Sequence, residues 1–147
     1  MSNNKPKPFV SVIIAALNEE ESIANVIKSV PKDLADEIVV VDNGSNDRTA
    51  EIAKGAGARV IQEPLAGYGR AFRAGLRAIS PGCEIVVFLD GDGSDCPEMM
   101  DRLVTPILED RSDFVIGSRT RGNREAGNEL LQEYRRQGDE PRFSASP

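Results

Sequence analysis

The run Glu84-Ile-Val-Val-Phe-Leu-Asp-Gly-Asp-Gly-Ser-Asp95 constrains the fold more than any other part of the sequence. Its apolar part is almost uninterrupted, which is typical of a buried strand in a parallel sheet, and the run at 9–15 predicts a strand buried on both faces. Three further apolar runs of strand length, at 9–15, 37–42 and 59–62, are separated by segments of helical periodicity. Because strands that alternate with helices build βαβ units, we predict an α/β fold with a parallel sheet.

The intervening helices are predicted from apolar spacing and from capping residues. Asn18 is suited to the N-cap of the first helix, and Glu21 completes a capping-box pattern three residues later. Pro31 ends this helix, and Pro97 suits the first position of a later one. The other predicted elements are helices at 48–56, 69–79, 97–108 and 128–137 and a fifth strand at 113–117.

The length of 147 residues is typical of one domain. We predict a flexible arm at 1–8, a domain at 9–125 and a polar, disordered tail at 126–147, because few apolar residues follow Ser118. The 18 Lys and Arg against 24 Asp and Glu give a net charge of −6, which argues against binding nucleic acid or an acidic membrane through overall charge. The sequence has no histidine, which excludes imidazole acid–base catalysis and histidine-bound metals.

The two cysteines, Cys83 and Cys96, stand at either end of the predicted strand and its following loop. Such a strand spans on the order of 20 Å, whereas a disulfide requires Cα atoms less than about 7 Å apart. We therefore predict two free thiols in a reducing compartment. The start of the chain does not resemble a signal peptide, and the longest apolar stretch, 9–17, is half of a membrane span. These features favour a cytoplasmic protein.

Polar residues follow three of the predicted strands, at Asn18-Glu19, Asp42-Asn43 and Asp90-Gly91-Asp92. In an open parallel sheet the ligand crevice lies outside the carboxyl ends of the strands, so these side chains should share one edge. Taken alone, an Asp after a strand is more often a turn former or a helix cap, and Asn18 is most simply a cap. Together they form a carboxylate cluster, which is costly unless a cation lies among its members.

The loop Asp90-Gly-Asp-Gly-Ser-Asp95 is the sharpest local feature. Its hard oxygen ligands suit Mg²⁺ or Mn²⁺, which keep waters and bridge to substrate phosphates. A calcium loop is disfavoured because position 12 would be Asp101 and a strand, not a helix, enters the loop. A purely structural turn remains the alternative. Gly67 and Gly69 are interpreted as a flexible loop that caps a helix, since the sequence lacks the third glycine of a dinucleotide fingerprint.

Four motifs follow one another along the chain: Val12-Ile-Ile-Ala-Ala-Leu-Asn-Glu-Glu20, Ile38-Val-Val-Val-Asp-Asn-Gly-Ser-Asn-Asp47, Val87-Phe-Leu-Asp-Gly-Asp-Gly-Ser-Asp95 and Val115-Ile-Gly-Ser-Arg119. In this order they resemble family-2 glycosyltransferases, especially the branch of dolichyl-phosphate mannosyltransferases and polyprenyl-phosphate glucosyltransferases. The resemblance covers about residues 9–125. It implies the Rossmann-like three-layer GT-A sandwich with a mostly parallel sheet, a cofactor that is Mg²⁺ or Mn²⁺, and inverting transfer of a hexose from a nucleotide-diphospho-sugar such as UDP-glucose or GDP-mannose. The acceptor it implies is a polyprenyl phosphate at a membrane surface.

The resemblance also implies roles for individual residues. Asp90 and Asp92 would be the DxD motif, catalytic and metal-binding, with Asp92 the more direct metal ligand. Arg119 would approach the leaving diphosphate, a role suited to an always-charged forked donor. The residues implied to bind substrate are Ala15, Leu17, Glu19, Asp42, Asp90, Gly91 and Arg119.

The sequence departs from the family pattern in two places. Ala15 and Leu17 stand where the family usually has Pro and often an aromatic, and Asn43 replaces the second Asp of the common Asp-Asp-Gly-Ser pattern. The resemblance also fades by about Gly127, before the acceptor-side segment that family members carry. We therefore expect a C-terminally short transferase in which no general base is assigned. The sequence does not indicate an oligomeric state.

Two other functions compete with this interpretation. A non-catalytic nucleotide-sugar-binding fragment that acts with a partner is favoured by the short acceptor side. A sugar nucleotidyltransferase is disfavoured, because it needs a Gly-rich loop with Arg or Lys after the first strand, and residues 18–21 are acidic instead.

Overall fold

A four-stranded, fully parallel sheet in the order β3-β2-β1-β4 organises the computed structural model, which describes residues 6–117. The strands are β1 Val10–Ala16, β2 Glu37–Asp42, β3 Arg59–Gln62 and β4 Ile85–Asp90. The helices are α1 Ile23–Ser29, α2 Thr49–Gly55, α3 Tyr68–Ala78 and α4 Asp101–Leu108, with a single 3₁₀ turn at Pro97–Met99. These elements confirm the predicted alternation of strands and helices.

The strand register aligns the carboxyl ends of the three strands that carry the predicted site. In the ladders, Ala15 lies between Val41 and Asp90, and Ala16 lies beside Asp42. The central strand β1 is buried on both faces, as its continuous apolar run predicts. The polar residues after β1, β2 and β4 therefore lie along one edge of the sheet, as expected for a parallel α/β protein.

Each face of the sheet has its own core. The larger core joins β1, β2 and β4 to α1 and to α4, with Val12 and Ile14 at its centre. The smaller core lies under α3, which contacts Ile13 and Val41 through Ala71. Helix α3 lies so close to the sheet that a Cβ at Gly75 would come within 2.4 Å of the Ile13 Cγ2 atom. Only glycine allows this approach without a shift of the helix.

The predicted capping box of the first helix is wrong. Helix α1 begins at Ile23, and Ser22 occupies its N-cap position without a side-chain capping bond. Asn18 has a φ of 54°, and its side-chain Oδ1 accepts a hydrogen bond from the Asn46 backbone N–H. The Asn18 side chain thus binds the loop after β2 and is not available to the helix.

The predicted fifth strand is also wrong, because residues 113–117 form no ladder with the sheet. Within residues 6–117, β4 is therefore an edge strand. A cavity of about 460 Å³ separates it from this segment. Phe114 and Ile116 are 64% and 52% exposed, so these two side chains do not pack on the sheet. The predicted helix at 97–108 starts as the 3₁₀ turn and becomes α-helical only at Asp101.

Among residues 6–117 no disulfide joins the two cysteines, of which Cys96 is buried and Cys83 half-buried. Across residues 6–117, no helix combines the length and the apolarity that crossing a bilayer would require. The predicted helix at 128–137, the predicted tail at 126–147 and most of the predicted arm at 1–8 lie outside the described residues.

Candidate functional site

Two loops at the carboxyl edge of the sheet hold each other through backbone and side-chain hydrogen bonds. The Asn18 backbone N–H donates to Ser45 Oγ at 2.9 Å, and the Asn46 N–H donates back to Asn18 Oδ1 at 2.8 Å. The Glu19 N–H donates to Thr49 Oγ1 at 2.8 Å. Because these bonds join the loop after β1 to the loop after β2, the position of Glu19 is determined by both strands.

The Glu19 carboxylate faces other acidic groups. Partial burial raises its pKa, and the negative charges of Asp92, Asp47 and Asp90 raise it further, while a hydrogen bond from Ser22 Oγ at 3.2 Å partly offsets them. The Asp47 pKa is instead lowered, mainly by the hydrogen bond from the Thr49 hydroxyl. The predicted convergence of carboxylates at one edge is thus present in the structure, and it favours a cation there.

Gly91 brings the loop after β4 into direct contact with the end of β1. Its N–H donates to the Ala15 carbonyl at 2.9 Å, and its own carbonyl accepts from Ser22 Oγ at 2.6 Å. A Cβ at this position would lie 3.0 Å from the Ala15 oxygen and 3.0 Å from the Ala16 Cβ. The absence of a side chain therefore lets the backbone between the two aspartates approach β1.

The two aspartates of the loop have different surroundings. The Asp90 backbone N–H donates to Asp95 Oδ2 at 2.8 Å, and Asp90 Oδ1 accepts a hydrogen bond from the Tyr68 hydroxyl. Asp92 is exposed, and its Oδ1 accepts from the Ser94 N–H at 2.8 Å. Asp90 is thus oriented by a side chain from another element, whereas Asp92 is an exposed residue of the loop after β4.

Tyr68 is a site residue that the sequence analysis missed. Its ring packs edge-to-face on Phe72, with centroids 4.5 Å apart, and Phe72 packs in the same way on Phe88 at 4.8 Å. Partial burial, the hydrogen bond to Asp90 and the charges of Asp90, Asp95 and Asp92 raise the pKa of Tyr68. No sequence motif links Tyr68 to Asp90; only the packing of the start of α3 beside the end of β4 reveals the pair.

Asp42 and Asn43 are buried at the end of β2, with exposures of 4% and 6%. Asp42 Oδ1 accepts from the Ser45 N–H at 2.9 Å, and Oδ2 accepts from Gln62 Nε2 at 3.0 Å. The Asn43 amide donates to the carbonyls of Glu63 and Leu65 and accepts the Gly67 N–H. Both side chains therefore build the loops around the site.

The structure brings Ala15, Glu19, Asp90 and Asp92 together at one edge of the sheet. Leu17 lies on the rim of this edge and is 47% exposed. Arg119 lies outside the described residues.

The donor set at this edge suits a divalent cation that other ligands help to hold. Within the described part of the chain, no group of three or more acidic or cysteine side chains is close enough to enclose a metal ion. Mg²⁺ and similar ions commonly take only one or two protein carboxylates and complete their coordination with water and substrate phosphates. The exposed Asp92 and the oriented Asp90 match that arrangement.

The sequence is similar to characterised families along most of its length. The profile of "Glycosyl transferase family 2" matches residues 11–144. A UDP-N-acetylglucosamine–dolichyl-phosphate N-acetylglucosaminyltransferase of Methanococcus voltae is 32% identical over 139 residues, covering 82% of this chain and 55% of the relative. A dolichyl-phosphate hexose transferase of Haloferax volcanii is 36% identical over 112 residues, covering 75% of this chain and 47% of the relative. The chain thus spans about half the length of these curated relatives.

Solved structures show the same similarity. Glucosyl-3-phosphoglycerate synthase from Mycobacterium tuberculosis, in complex with Mn²⁺, UDP and glucosyl-3-phosphoglycerate, matches with a TM-score of 0.60 at 36% identity. The match covers 69% of this chain and 40% of that chain. The same synthase has been solved with Mg²⁺ and UDP. The predicted GT-A type of α/β fold is therefore confirmed.

Proposed function

The chain belongs to glycosyl transferase family 2, and from this membership we propose that it binds a nucleotide-diphospho-sugar at the carboxyl edge of its sheet and transfers the hexose to a polyprenyl phosphate. The observation that carries the proposal is the convergence of Glu19, Asp90 and Asp92, which come from the ends of β1 and β4. Carboxylates on well-separated segments do not gather at an edge for the stability of the fold, because their mutual repulsion opposes it.

The donor lies along this edge in the proposed complex. Ala15, Leu17 and Glu19 line the base and ribose, and Asp42 supports the same pocket from the end of β2. Asp92 would be the more direct ligand of Mg²⁺ or Mn²⁺, and Asp90 would reach the ribose or a water on the metal. Gly91 holds the loop of the two aspartates against β1, since it carries no side chain.

The charge that develops on the leaving diphosphate has to be neutralised. When bound, the divalent cation supplies Lewis-acid charge for this purpose. Arg119, which carries a permanent positive charge, is proposed to approach the same diphosphate. Tyr68 keeps Asp90 in place through its hydroxyl while the bond to the sugar breaks.

A lipid phosphate is the acceptor that best suits the residues of this chain. A phosphate monoester is largely ionised at neutral pH, so it attacks without a general base, and the sequence includes no histidine that could serve as one. An acceptor phosphate oxygen forms a bond to the anomeric carbon, the bond from that carbon to the donor diphosphate breaks, and the nucleoside diphosphate leaves with inversion. Two of the relatives carry dolichyl phosphate in their names.

Isothermal titration calorimetry tests the donor half of the proposal. UDP-glucose and GDP-mannose are titrated into the full chain with and without Mn²⁺, and we expect binding of one of them that requires the metal. Asp92→Asn should abolish the metal-dependent part. The matched control is Asp33→Asn, which removes an exposed carboxylate between α1 and β2 and should bind the donor as the unchanged chain does. Absence of binding, or equal binding by Asp92→Asn, would refute the proposal.

A further inference from the structure

A positively charged strip runs through the middle of this acidic chain. Residues 64–83 contain three arginines and no acidic residue, although the whole chain has a net charge of −6. All three arginines, Arg70, Arg73 and Arg77, belong to helix α3. The helix carries no acidic side chain of its own, so the positive charge is not balanced within the element.

The structure places the three arginines on the outer side of α3. All three are exposed, whereas Ala71 and Gly75 are buried against the sheet. Positions 70, 73 and 77 are three and four residues apart, which puts them on one face of a helix. Among residues 6–117, none of these guanidinium groups forms an ion pair; the four pairs present involve other basic residues.

Exposed apolar side chains accompany the arginines. Leu76 on α3 is 46% exposed, and Leu65 in the loop before the helix is 59% exposed. Phe88 of β4, which contacts Phe72 of α3, is 43% exposed on the same face of the sheet. Basic residues beside exposed leucines and aromatics are the composition of helices that lie in a membrane interface.

We propose that the outer face of α3, formed by Arg70, Arg73 and Arg77 with Leu65 and Leu76, docks on an anionic lipid bilayer. Charge complementarity selects this partner, because each arginine near a negatively charged leaflet contributes to binding and long leucine side chains enter the interface. This inference rests on the proposed function, because the acceptor proposed for the enzyme is a lipid phosphate.

The position of α3 explains why this face is useful. The helix is about 16 Å long and its first residue, Tyr68, bonds to Asp90 in the donor site. A helix lying flat on the bilayer therefore holds the site at the margin of the headgroup layer. The phosphate of a lipid acceptor lies at that same level.

The opposite face provides a matched control. Helices α1 and α2 pack on the side of the sheet away from α3. Three lysines are exposed there: Lys28 of α1, Lys32 in the loop after α1, and Lys54 of α2. Neutralising them changes the net charge as much as neutralising the three arginines does. A difference in vesicle binding between the two triple variants therefore depends on where the positive charges lie, because the net charge of the two variants is the same.

The experiment measures sedimentation of the full chain with vesicles, without donor. Vesicles of phosphatidylcholine with phosphatidylglycerol are compared with vesicles of phosphatidylcholine alone. We expect binding to the anionic vesicles only, weakened by salt, and weakened about fivefold for each arginine removed. The Arg70→Gln, Arg73→Gln, Arg77→Gln variant should thus lose about a hundredfold, whereas the Lys28→Gln, Lys32→Gln, Lys54→Gln variant stays close to the unchanged chain.

The outcomes separate this inference from the proposed function. The proposal that α3 docks on the bilayer is overturned if both triple variants bind the vesicles equally. It is also overturned if the unchanged chain does not bind anionic vesicles. Arginine-dependent binding to RNA without binding to vesicles also overturns it. If the triple arginine variant does not fold, Arg73→Gln alone is compared with Lys28→Gln. Donor titration of the arginine variants should match the unchanged chain, and failure of the donor to bind any variant would refute the proposed function while leaving the vesicle result intact.

Discussion

The hydroxyl of Tyr68 donates a hydrogen bond to Asp90 Oδ1 and so joins the first residue of α3 to the last residue of β4. The residue before it, Gly67, has a φ of 143° and donates its N–H to Asn43 Oδ1 at 3.0 Å. A continuous set of contacts therefore runs from the end of β2 through the start of α3 to the loop after β4. Loops from three parts of the chain hold Asp90 in one orientation.

Removing only the Tyr68 hydroxyl should weaken metal-dependent donor binding. Tyr68→Phe keeps the ring on Phe72 but leaves Asp90 without its orienting donor, and a hydrogen bond to a charged group is worth about 1.5–3 kcal/mol. We expect the affinity for UDP with Mn²⁺ to fall at least about tenfold, and the affinity for Mn²⁺ alone, measured by electron paramagnetic resonance, to fall in parallel.

Phe72→Leu serves as the control for Tyr68→Phe, because it disturbs the ring packing and leaves the hydroxyl. It should lower the free energy of unfolding by about 1 kcal/mol with little effect on Mn²⁺ affinity. If Tyr68→Phe binds Mn²⁺ and UDP like the unchanged chain, the hydroxyl has no positioning role.

The fold could be predicted from the sequence wherever a local apolar run also pairs with a neighbouring strand. The strands β2 and β3 lie where the runs 37–42 and 59–62 predict them. The prediction failed at 113–117, although the apolar run Phe114-Val-Ile116 is strand-like. A strand, however, also requires backbone partners in register, and β4 does not supply them within residues 6–117. Such long-range pairing leaves no local trace in the sequence.

The candidate site was predictable to the extent that it follows from strand ends. Glu19, Asp90 and Asp92 share an edge because parallel strands end on the same side. Tyr68 could not be found in this way, because its role depends on the packing of α3 against β4. Asn18 shows the reverse error: its local pattern predicts a helix cap, but its side chain binds Asn46 of a neighbouring loop.

Adding one methyl group at Gly91 should destabilise the protein and disturb the site. The Cβ of Gly91→Ala would lie 3.0 Å from the Ala15 oxygen and 3.3 Å from Ile23 Cδ1, so the loop must move away from β1. Overpacking of this kind costs about 1–3 kcal/mol. Urea denaturation measures the loss. Gly82→Ala is the control, since its new methyl group would have no neighbouring atom within 4 Å; equal stability of the two variants would contradict the close approach at Gly91.

Glu37 should make stability depend on pH in the acid range. Burial by itself raises the pKa of Glu37, but hydrogen bonds from Ser11, Ser80 and Arg59 outweigh it and lower the pKa below 4.5. A depressed pKa in the folded state means that the stabilisation is complete above the unfolded pKa and is lost as the pH falls through the folded value.

The measurement for Glu37 is chemical denaturation of Glu37→Gln and the unchanged chain across the acid range. At neutral pH the variant should be less stable by about 1–3 kcal/mol, because its amide meets several donors. Below pH 4.5 the difference should shrink. A difference that persists or grows in acid would be inconsistent with this account. Glu98→Gln, at an exposed position, should show no such change.

Replacing Asn43 by Asp should destabilise this chain even though Asp is the common residue at this place in the family pattern. The Asn43 amide donates to the carbonyls of Glu63 and Leu65 at 2.9 and 2.8 Å, and a carboxylate cannot donate to either. Both carbonyls would then face a negative charge, at a cost of about 1–3 kcal/mol. Urea denaturation should show this loss at neutral pH and a smaller one in acid, where the new carboxyl is protonated. Asn25→Asp, on the exposed side of α1, should remain as stable as the unchanged chain, and Asn43→Asp as stable as this control would show that the loop at 63–67 does not depend on the amide.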